Sequence, residues 1–410
     1  MSDITRRRAG RILALVGIVM LSLNLRTSVA ALSPVLDAVN QEIGLTPAGI
    51  GLLGALPPVC FAVFGFVTPV LQRRAGLETL LVISLAAIAV GDVLRGLSTS
   101  YGVLFFASVL SFAGMGVANV LLPPVTKKYF PKRIGLITSV YATALSIGAT
   151  VPPLVAVPLA DAAGWRFELG VWAALAVAAM VPWVIMLVTE GRRARAAGSP
   201  SGDSRAAWSG RIHRSALAWS LLAVFSTTAF NAYAMFAWLP EILVDVTGVS
   251  PEAAGALLSL FAIMGLPAAL AVPVLAARMR SVLPLILLAV VFFIAGYGGL
   301  LLAPGSLVWL WVVFIGLGPL LFPLSLALIS LRTRTHGGAV ALSAFVQGGG
   351  YAVGALGPLL VGVLHEMTGS WTVPLIVLAA VGLLSVVPAV IVSRPITLED
   401  ERNGGVGSSV

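Results

Sequence analysis

One cation interrupts an otherwise apolar stretch near the start of the chain. Between Ile12 and Val39 almost every residue is apolar, and Arg26 sits in the middle. A guanidinium at the centre of a bilayer costs about 2.5–3.5 kcal/mol on insertion scales, so an arginine retained there faces a bundle interior or a water-filled cavity. Its planar fork of donors suits a small anion or a strongly polarised neutral solute. On one continuous helix Ser22, Arg26, Ser33 and Asp37 would share a polar stripe. The competing use of Arg26 is a structural lock, in which a carboxylate on another segment neutralises it. Asp92 is the intramembrane carboxylate that could do so, although Arg95, three residues on, is an equally good helical partner for it.

The elements that must position these residues are membrane helices. Of 410 residues, 59% are hydrophobic and only 10% charged, which excludes a soluble globular domain. Spans are predicted at 12–38, 47–71, 79–97, 101–126, 134–160, 168–189, 215–243, 252–277, 282–303, 306–331, 338–364 and 371–393, twelve in all. The fold class is therefore an all-α membrane protein. The net charge of +9 is topological and does not imply nucleic acid. With the N-terminus in the cytoplasm, all of the 25 basic residues except Arg26, Arg95 and Arg166 fall in that terminus, in alternate loops or after the last span. The opposite loops carry Asp37, Glu42, Asp161, Glu168, Glu241, Asp245, Glu252 and Glu366. The pattern predicts a multi-pass protein of the cytoplasmic membrane, with both termini cytoplasmic. The basic N-terminus and the apolar stretch after it are too long for a cleaved signal peptide, so the first span is expected to be retained.

Little in the chain suggests catalysis. The single cysteine, Cys60, lies in an apolar segment, and His213, His336 and His365 are scattered, so neither a disulfide framework nor a Cys/His metal cluster is expected. No GxxxxGK[ST] loop and no His-Glu-x-x-His pair occurs. The reading is of a protein that is not an enzyme, with no cofactor and no metal.

An Arg-, Gly-, Ser- and Ala-rich stretch divides six spans from six. The predicted division is an N-terminal six-helix bundle at 1–190, a cytoplasmic linker at 191–213, a C-terminal six-helix bundle at 214–395 and a cytoplasmic tail at 396–410. The halves repeat one another weakly. LTPAGIGLL from Leu45 matches VSPEAAGALL from Val249, and Gly148, Pro152 and Trp165 recur as Gly354, Pro358 and Trp371. Thr46 and Ser250, each followed by proline, read as helix N-caps.

Two pseudo-symmetric six-helix bundles around a central linker resemble the major facilitator superfamily. The turn GFVTPVLQRRAGLETL from Gly65 is similar to that superfamily's loop signature in its paired basic residues, but lacks the usual acidic residue. LNLRTSVAALSPVL from Leu23, GLLGALPPVCFAVFG from Gly51, FAWLPEIL from Phe236 and ALSAFVQGGGYAVGALGPLLVGVLHEMTGSW from Ala341 resemble the cyanate-permease-like group, which includes nitroimidazole exporters. The resemblance implies a transporter in which spans 1, 4, 7 and 10 line a shared cavity, flanked by spans 2, 5, 8 and 11. It places Arg26, Asn119, Tyr141, Asn231, Tyr233, Trp238, Gln347 and Tyr351 as substrate-binding candidates. For each amide an interhelical hydrogen bond is the equal alternative. Gly148, Pro152, Gly350, Gly354 and Pro358 are gating or packing candidates, and the Pro57-Pro58, Pro123-Pro124 and Pro152-Pro153 pairs, with Pro319 and Pro323, are expected to kink or break their helices. Asp92 and Glu241 are coupling candidates.

The function predicted is a monomeric secondary active or facilitative transporter of a small anion or small polar organic solute, working by alternating access. Its partners are the solute, the lipid bilayer and a coupling ion, proton or counter-anion, that the residues leave open. The alternatives are an exporter of amphipathic or nitroimidazole-type compounds, with Trp238, Phe230, Phe322 and Tyr351 dominating the pocket, and a membrane sensor that moves nothing.

Overall fold

In lipid every backbone polar group must be satisfied within the segment, and a long apolar run therefore becomes a helix. The computed structural model describes residues 3–196 and 211–402, the side chains at 3–9, 37, 47–48, 190–196 and 402 excepted. Twelve helical spans are long and apolar enough to cross a membrane: Gly10–Val35, Gly49–Ala75, Leu77–Gly96, Tyr101–Tyr129, Ile134–Ala163, Trp165–Thr189, Ala216–Thr247, Pro251–Arg278, Leu283–Leu302, Val308–Leu331, His336–Thr368 and Thr372–Val392. Each corresponds to a span read from the sequence.

Seventeen α-helices make up these spans and their connections. In chain order they are α1 (Asp3–Ala30), α2 (Leu36–Ile43), α3 (Pro47–Ala75), α4 (Leu77–Gly96), α5 (Tyr101–Tyr129), α6 (Ile134–Ala163), α7 (Trp165–Ala196), α8 (Ala216–Thr247), α9 (Pro251–Ile263) and α10 (Gly265–Arg278). They continue as α11 (Leu283–Leu302), α12 (Val308–Leu317), α13 (Leu321–Leu331), α14 (His336–Thr368), α15 (Thr372–Leu384), α16 (Val386–Val392) and α17 (Leu398–Arg402). The chain forms two compact units, Met1–Ser209 with His336–Ala344, and Gly210–Thr335 with Phe345–Val410. The start of α14 thus packs in the first unit, where Ser343 Oγ donates to the Val120 carbonyl at 2.6 Å. Of the expected linker at 191–213, residues 197–210 lie outside the described residues.

The first span is not one helix. Pro34 lacks the N–H that a continuing helix needs, and α1 stops at Ala30, followed by a tight turn at Ser33–Val35 and the short α2. The polar stripe therefore ends with α1. Ser22 and Arg26 lie on it, whereas Ser33 sits in the exposed turn, and the Asp37 side chain is not described.

Several of the prolines expected to break helices do not. α3, α5 and α6 run continuously through Pro57-Pro58, Pro123-Pro124 and Pro152-Pro153. The tight turn at Gly318–Leu320 does interrupt the tenth span at Pro319 and one turn before Pro323, as expected, and further interruptions fall one turn before Pro267 and Pro388, where α9 ends at Ile263 and α15 at Leu384. That is where a proline ring presses on the carbonyl four residues back.

A corner of the repeat is built twice. Gly44 (φ 69°) and Gly248 (φ 71°) end α2 and α8 in the left-handed region, each N–H bonding four residues back. Two residues later Thr46 Oγ1 accepts from Gly49 N at 3.1 Å and Ser250 Oγ accepts from Ala253 N at 3.3 Å, with proline in the first turn. Both expected N-caps are present.

Glycines set how closely helices approach within each unit. In the first, a Cβ on Gly148 of α6 would strike the Leu23 carbonyl oxygen of α1. In the second, a Cβ on Gly354 of α14 would stand 2.9 Å from Ala229 Cβ of α8, and one on Gly357 2.5 Å from the Phe230 carbonyl oxygen. Gly148 and Gly354, equivalent in the repeat, do equivalent packing.

The stretch expected as a tail folds back onto the second unit for as far as it is described. Leu398 N donates to the Arg332 carbonyl at 2.9 Å, Glu399 accepts from the N–H groups of Arg334 and Thr335 at 2.8 and 2.9 Å, and Arg334 pairs with Asp400 at 2.6 Å. Glu401 accepts from the Leu217 N–H at 3.0 Å and from Ser215 Oγ at the start of α8. The carboxylates satisfy orphan donors at helix starts, which is why residues 396–402 are held.

Two outcomes are expected. Gly148→Leu should destabilise the purified protein through overpacking, by about 1–3 kcal/mol or more, whereas Gly51→Ala, where an added Cβ meets nothing within 4 Å, should change its stability little; thermal unfolding in detergent compares them. Burial acts to raise the Glu399 carboxyl, but the Thr335 and Arg334 N–H groups and the Thr335 hydroxyl outweigh it and hold the group below the usual glutamate value. A depressed folded value stabilises above the unfolded pKa of about 4.3 and is lost as pH falls through the folded one. Hydrogen exchange at residues 396–402 should therefore rise on acidification, and should be high and insensitive to acid in Glu399→Gln.

Candidate functional site

Arg26 lies mid-span on α1, half-buried, with its guanidinium carbon 5.3 Å from the centroid of the buried Phe61 ring of α3 and Nη1 donating to the Leu25 carbonyl at 3.2 Å. A guanidinium over an aromatic face keeps its charge while shedding water. The carboxylate that could have locked it is occupied elsewhere. Asp92 on α4 is fully buried, faces Arg95 Nη1 at 3.6 Å, and accepts from Ser28 Oγ of α1 at 2.8 Å and Ser111 Oγ of α5 at 2.9 Å. Arg95 Nη1 also donates to the Ser28 carbonyl at 2.8 Å. The Asp92–Arg95 pair thus grips α1 two residues beyond Arg26.

The other candidates of the first unit are enclosed. Asn119 on α5 donates to the Met115 carbonyl at 3.0 Å and is 2% exposed. Tyr141 on α6 is fully buried, as is Pro152, and Gly148 packs against α1. Sequence reasoning missed two residues here. Asn24, read as part of an apolar run, donates to the Met20 carbonyl at 2.8 Å and to the Leu175 carbonyl of α7 at 3.4 Å. Glu168, assigned to a loop by its place near a predicted span start, belongs to α7 and is 0% exposed. Its signal was its register with Trp172, whose Nε1 donates to Glu168 Oε1 at 3.2 Å. Arg166, left unassigned by the charge pattern, pairs with Glu42, and this holds the Glu42 carboxyl below the usual range.

In the second unit Asn231 on α8 is used by the scaffold. Its Oδ1 accepts from Tyr297 Oη of α11 at 2.8 Å and its Nδ2 donates to the Thr227 carbonyl at 3.0 Å, at 1% exposure. The interhelical alternative describes this amide, because both ends of it are engaged in a closed seam. Trp238 Nε1 donates to the Pro358 carbonyl at 2.8 Å, and its ring lies 5.7 Å from that of Trp371. Gln347 is fully buried on α14, and Gly350 packs against Phe225.

Aromatic rings do converge. Phe225 of α8 meets Phe322 of α13 at 5.6 Å and Tyr351 of α14 edge-on at 5.1 Å, and Tyr351 meets Tyr233 edge-on at 6.4 Å. Phe225 and Tyr351 in the middle of the row are buried, and Phe322 and Tyr233 at its two ends are half-buried. Phe225, the ring at its centre, was not among the sequence candidates.

Glu241 is exposed at the far end of α8, and the histidine expected to stand alone joins it. Donor atoms of Glu241, Asp245 and His365 lie within 4.8 Å of one another. The His365 ring stacks on Trp371 at 3.7 Å, and Trp371 Nε1 donates to Asp245 Oδ2 at 2.8 Å. Sequence spacing could not show this, since His365 reaches the pair from another helix.

Comparison with known proteins fixes the family. The profile described as Major Facilitator Superfamily matches residues 14–355. The chain belongs to the major facilitator superfamily. Superfamily relatives include a protein named as an uncharacterized transporter, YycB of Bacillus subtilis, 34% identical over 89% of each chain. The 2-nitroimidazole transporter of Escherichia coli is 29% identical over 91% of this chain and 93% of its own. The cyanate transport protein CynX of Escherichia coli is 28% identical over 86% and 90%. In fold, the chain is similar to the proton:xylose symporter XylE, with a TM-score of 0.76 at 15% identity over 98% of this chain and 99% of that one. The superfamily and these relatives are transporters, not enzymes, as expected from the sequence. This chain is a multi-pass member of that transporter family.

The Asn231–Tyr297 bond yields a prediction. In a double-mutant cycle of Asn231→Leu and Tyr297→Phe, measured by thermal unfolding, the two should couple by about 0.6–1.7 kcal/mol, the range for interhelical bonds in membranes. Zero coupling would contradict the assignment of Asn231 to the scaffold.

Proposed function

We propose that this superfamily member moves a small anion or small polar organic solute across the cytoplasmic membrane by alternating access, with Arg26 as the charge the solute meets. Both termini lie in the cytoplasm, as the distribution of basic residues indicates. One observation carries the reading. A guanidinium is kept half-buried at mid-span over the Phe61 ring, two residues before the Ser28 at which Asp92 and Arg95 hold α1. Relatives named for cyanate and 2-nitroimidazole support the size class, since both solutes are small, planar and polar. The further residues proposed to contact the solute are Asn119 and Tyr141 in the first unit and Tyr233, Trp238, Gln347 and Tyr351 in the second. A coupling ion, proton or counter-anion, completes the cycle.

A second reading rests on the aromatic row of Phe322, Phe225, Tyr351 and Tyr233. Four rings in sequence favour an amphipathic compound, and the nitroimidazole-type relative supports export of one. Resistance profiles of cells lacking and overproducing the protein separate the two readings.

A thermal-shift screen against small anions, azoles and organic acids tests the first. A true ligand at a hundred times its dissociation constant stabilises the protein by about 2.7 kcal/mol. Arg26→Ala should abolish the shift, and Arg26→Lys should weaken binding about 10- to 100-fold, because a lysine keeps the charge and loses the fork. An unchanged shift in folded Arg26→Ala would remove Arg26 from the solute's path.

A further inference from the structure

The buried charges where α1, α4 and α7 meet do not balance. Asp92, Arg95 and Glu168 are each 0% exposed, so two carboxyl groups and one guanidinium are buried away from water. An uncompensated charge in such surroundings is costly, and a bound proton removes it. Hydrogen bonding decides which carboxyl holds that proton. Asp92 accepts from Ser28 and Ser111 through its two oxygens and faces Arg95, all of which favour the ionised form. Glu168 accepts only from Trp172, through Oε1; Oε2 is buried with no hydrogen-bond partner among the described residues.

The complementary gap is on the cation. Arg95 Nη1 is engaged by Ser28 and Asp92, but Nε and Nη2 are buried without an acceptor among the described residues, and Arg95 and Glu168 lie within electrostatic reach of one another. Helix contact is what brings them together. A Cβ on Gly96 would stand 2.7 Å from the Arg166 carbonyl oxygen and 3.0 Å from Gly170 Cα, so α4 and α7 meet backbone to backbone at this level. A groove of about 340 Å³ with Gly96, Arg166 and Gly170 among its lining residues opens on the same seam.

Among the described residues the ionisable groups around Glu168 are few. α4 presents Asp92 and Arg95; α7 itself carries Arg166, which pairs with Glu42 of α2; α1 presents Ser28, with Arg26 two residues before it; and α6 ends near the exposed Asp161. Arg95 is thus the buried cation of the cluster.

We infer that Asp92, Arg95 and Glu168 form a site for one exchangeable proton, carried by Glu168 in this conformation. On release the proton passes to water and the Glu168 carboxylate takes the open Nε–H and Nη2–H of Arg95, competing with Asp92 for the guanidinium. The same guanidinium holds α1 at Ser28, so proton release loosens α1 beside Arg26. That last link rests on the proposed role of Arg26; the proton site does not.

Infrared difference spectroscopy of the reconstituted protein, stepped from acid to alkaline pH, reads the proton directly. The wild type should show the carbonyl band of a protonated carboxylic acid that disappears at the alkaline end and shifts on biosynthetic labelling with isotopic glutamate. Glu168→Gln should lose the band entirely, and Asp92→Asn should move the pH at which it disappears. No such band in the wild type, or a band unmoved by labelled glutamate, overturns the inference without needing any variant to fold. A band that persists in folded Glu168→Gln overturns it as well. None of these readouts involves solute, so they stand whether or not Arg26→Ala alters the thermal shift.

Discussion

Every polar group at lipid depth has to find its answer inside the bundle, and most of this structure follows from that requirement. Asp92 has two serines and an arginine, Asn231 has a tyrosine and a backbone carbonyl, and the Trp238 indole has the Pro358 carbonyl. Each answer ties helices from different parts of one unit. Arg26 is half-buried, lies over the Phe61 ring and donates to the Leu25 carbonyl.

Such bonds form only where helices come close, and glycines decide where that is. Gly91 and Gly114 bring α4 and α5 together around Ser111 and Ser84, Gly96 joins α4 to α7, and Gly148 joins α6 to α1. Without the Gly96 contact, Glu168 and Arg95 would stand a side chain further apart. In the second unit Gly350, Gly354 and Gly357 line α14 against α8 and hold Tyr351 at the Phe225 ring. Close approach and polar satisfaction are therefore one design in this chain, consistent with small residues and hydrogen bonds being what associates helices when lipid is as apolar as the core.

The twelve spans, the fold class and the twin Thr46 and Ser250 caps were readable because they rest on local signals: run length, charge distribution and capping chemistry. The partners of those residues were harder to read. Glu168 sits near a span boundary, where one helical turn separates a loop charge from a buried one, and no hydropathy window resolves that difference. His365 meets Glu241 and Asp245 from a helix more than a hundred positions away in sequence. Asn231 looked like a cavity residue from α8 alone, because the tyrosine that claims it belongs to α11. The prolines were only partly legible for a related reason: each frees a carbonyl, but packing and neighbouring side chains decide whether the helix then stops, as it does before Pro323, or continues, as it does through Pro123 and Pro124.

The central claim, that a solute crosses past Arg26, is tested most directly by counterflow. Proteoliposomes preloaded with unlabelled solute, chosen as the strongest stabiliser, should accumulate the labelled form transiently with the wild type and fail to do so with folded Arg26→Ala. Counterflow by Arg26→Ala equal to that of the wild type would contradict the account.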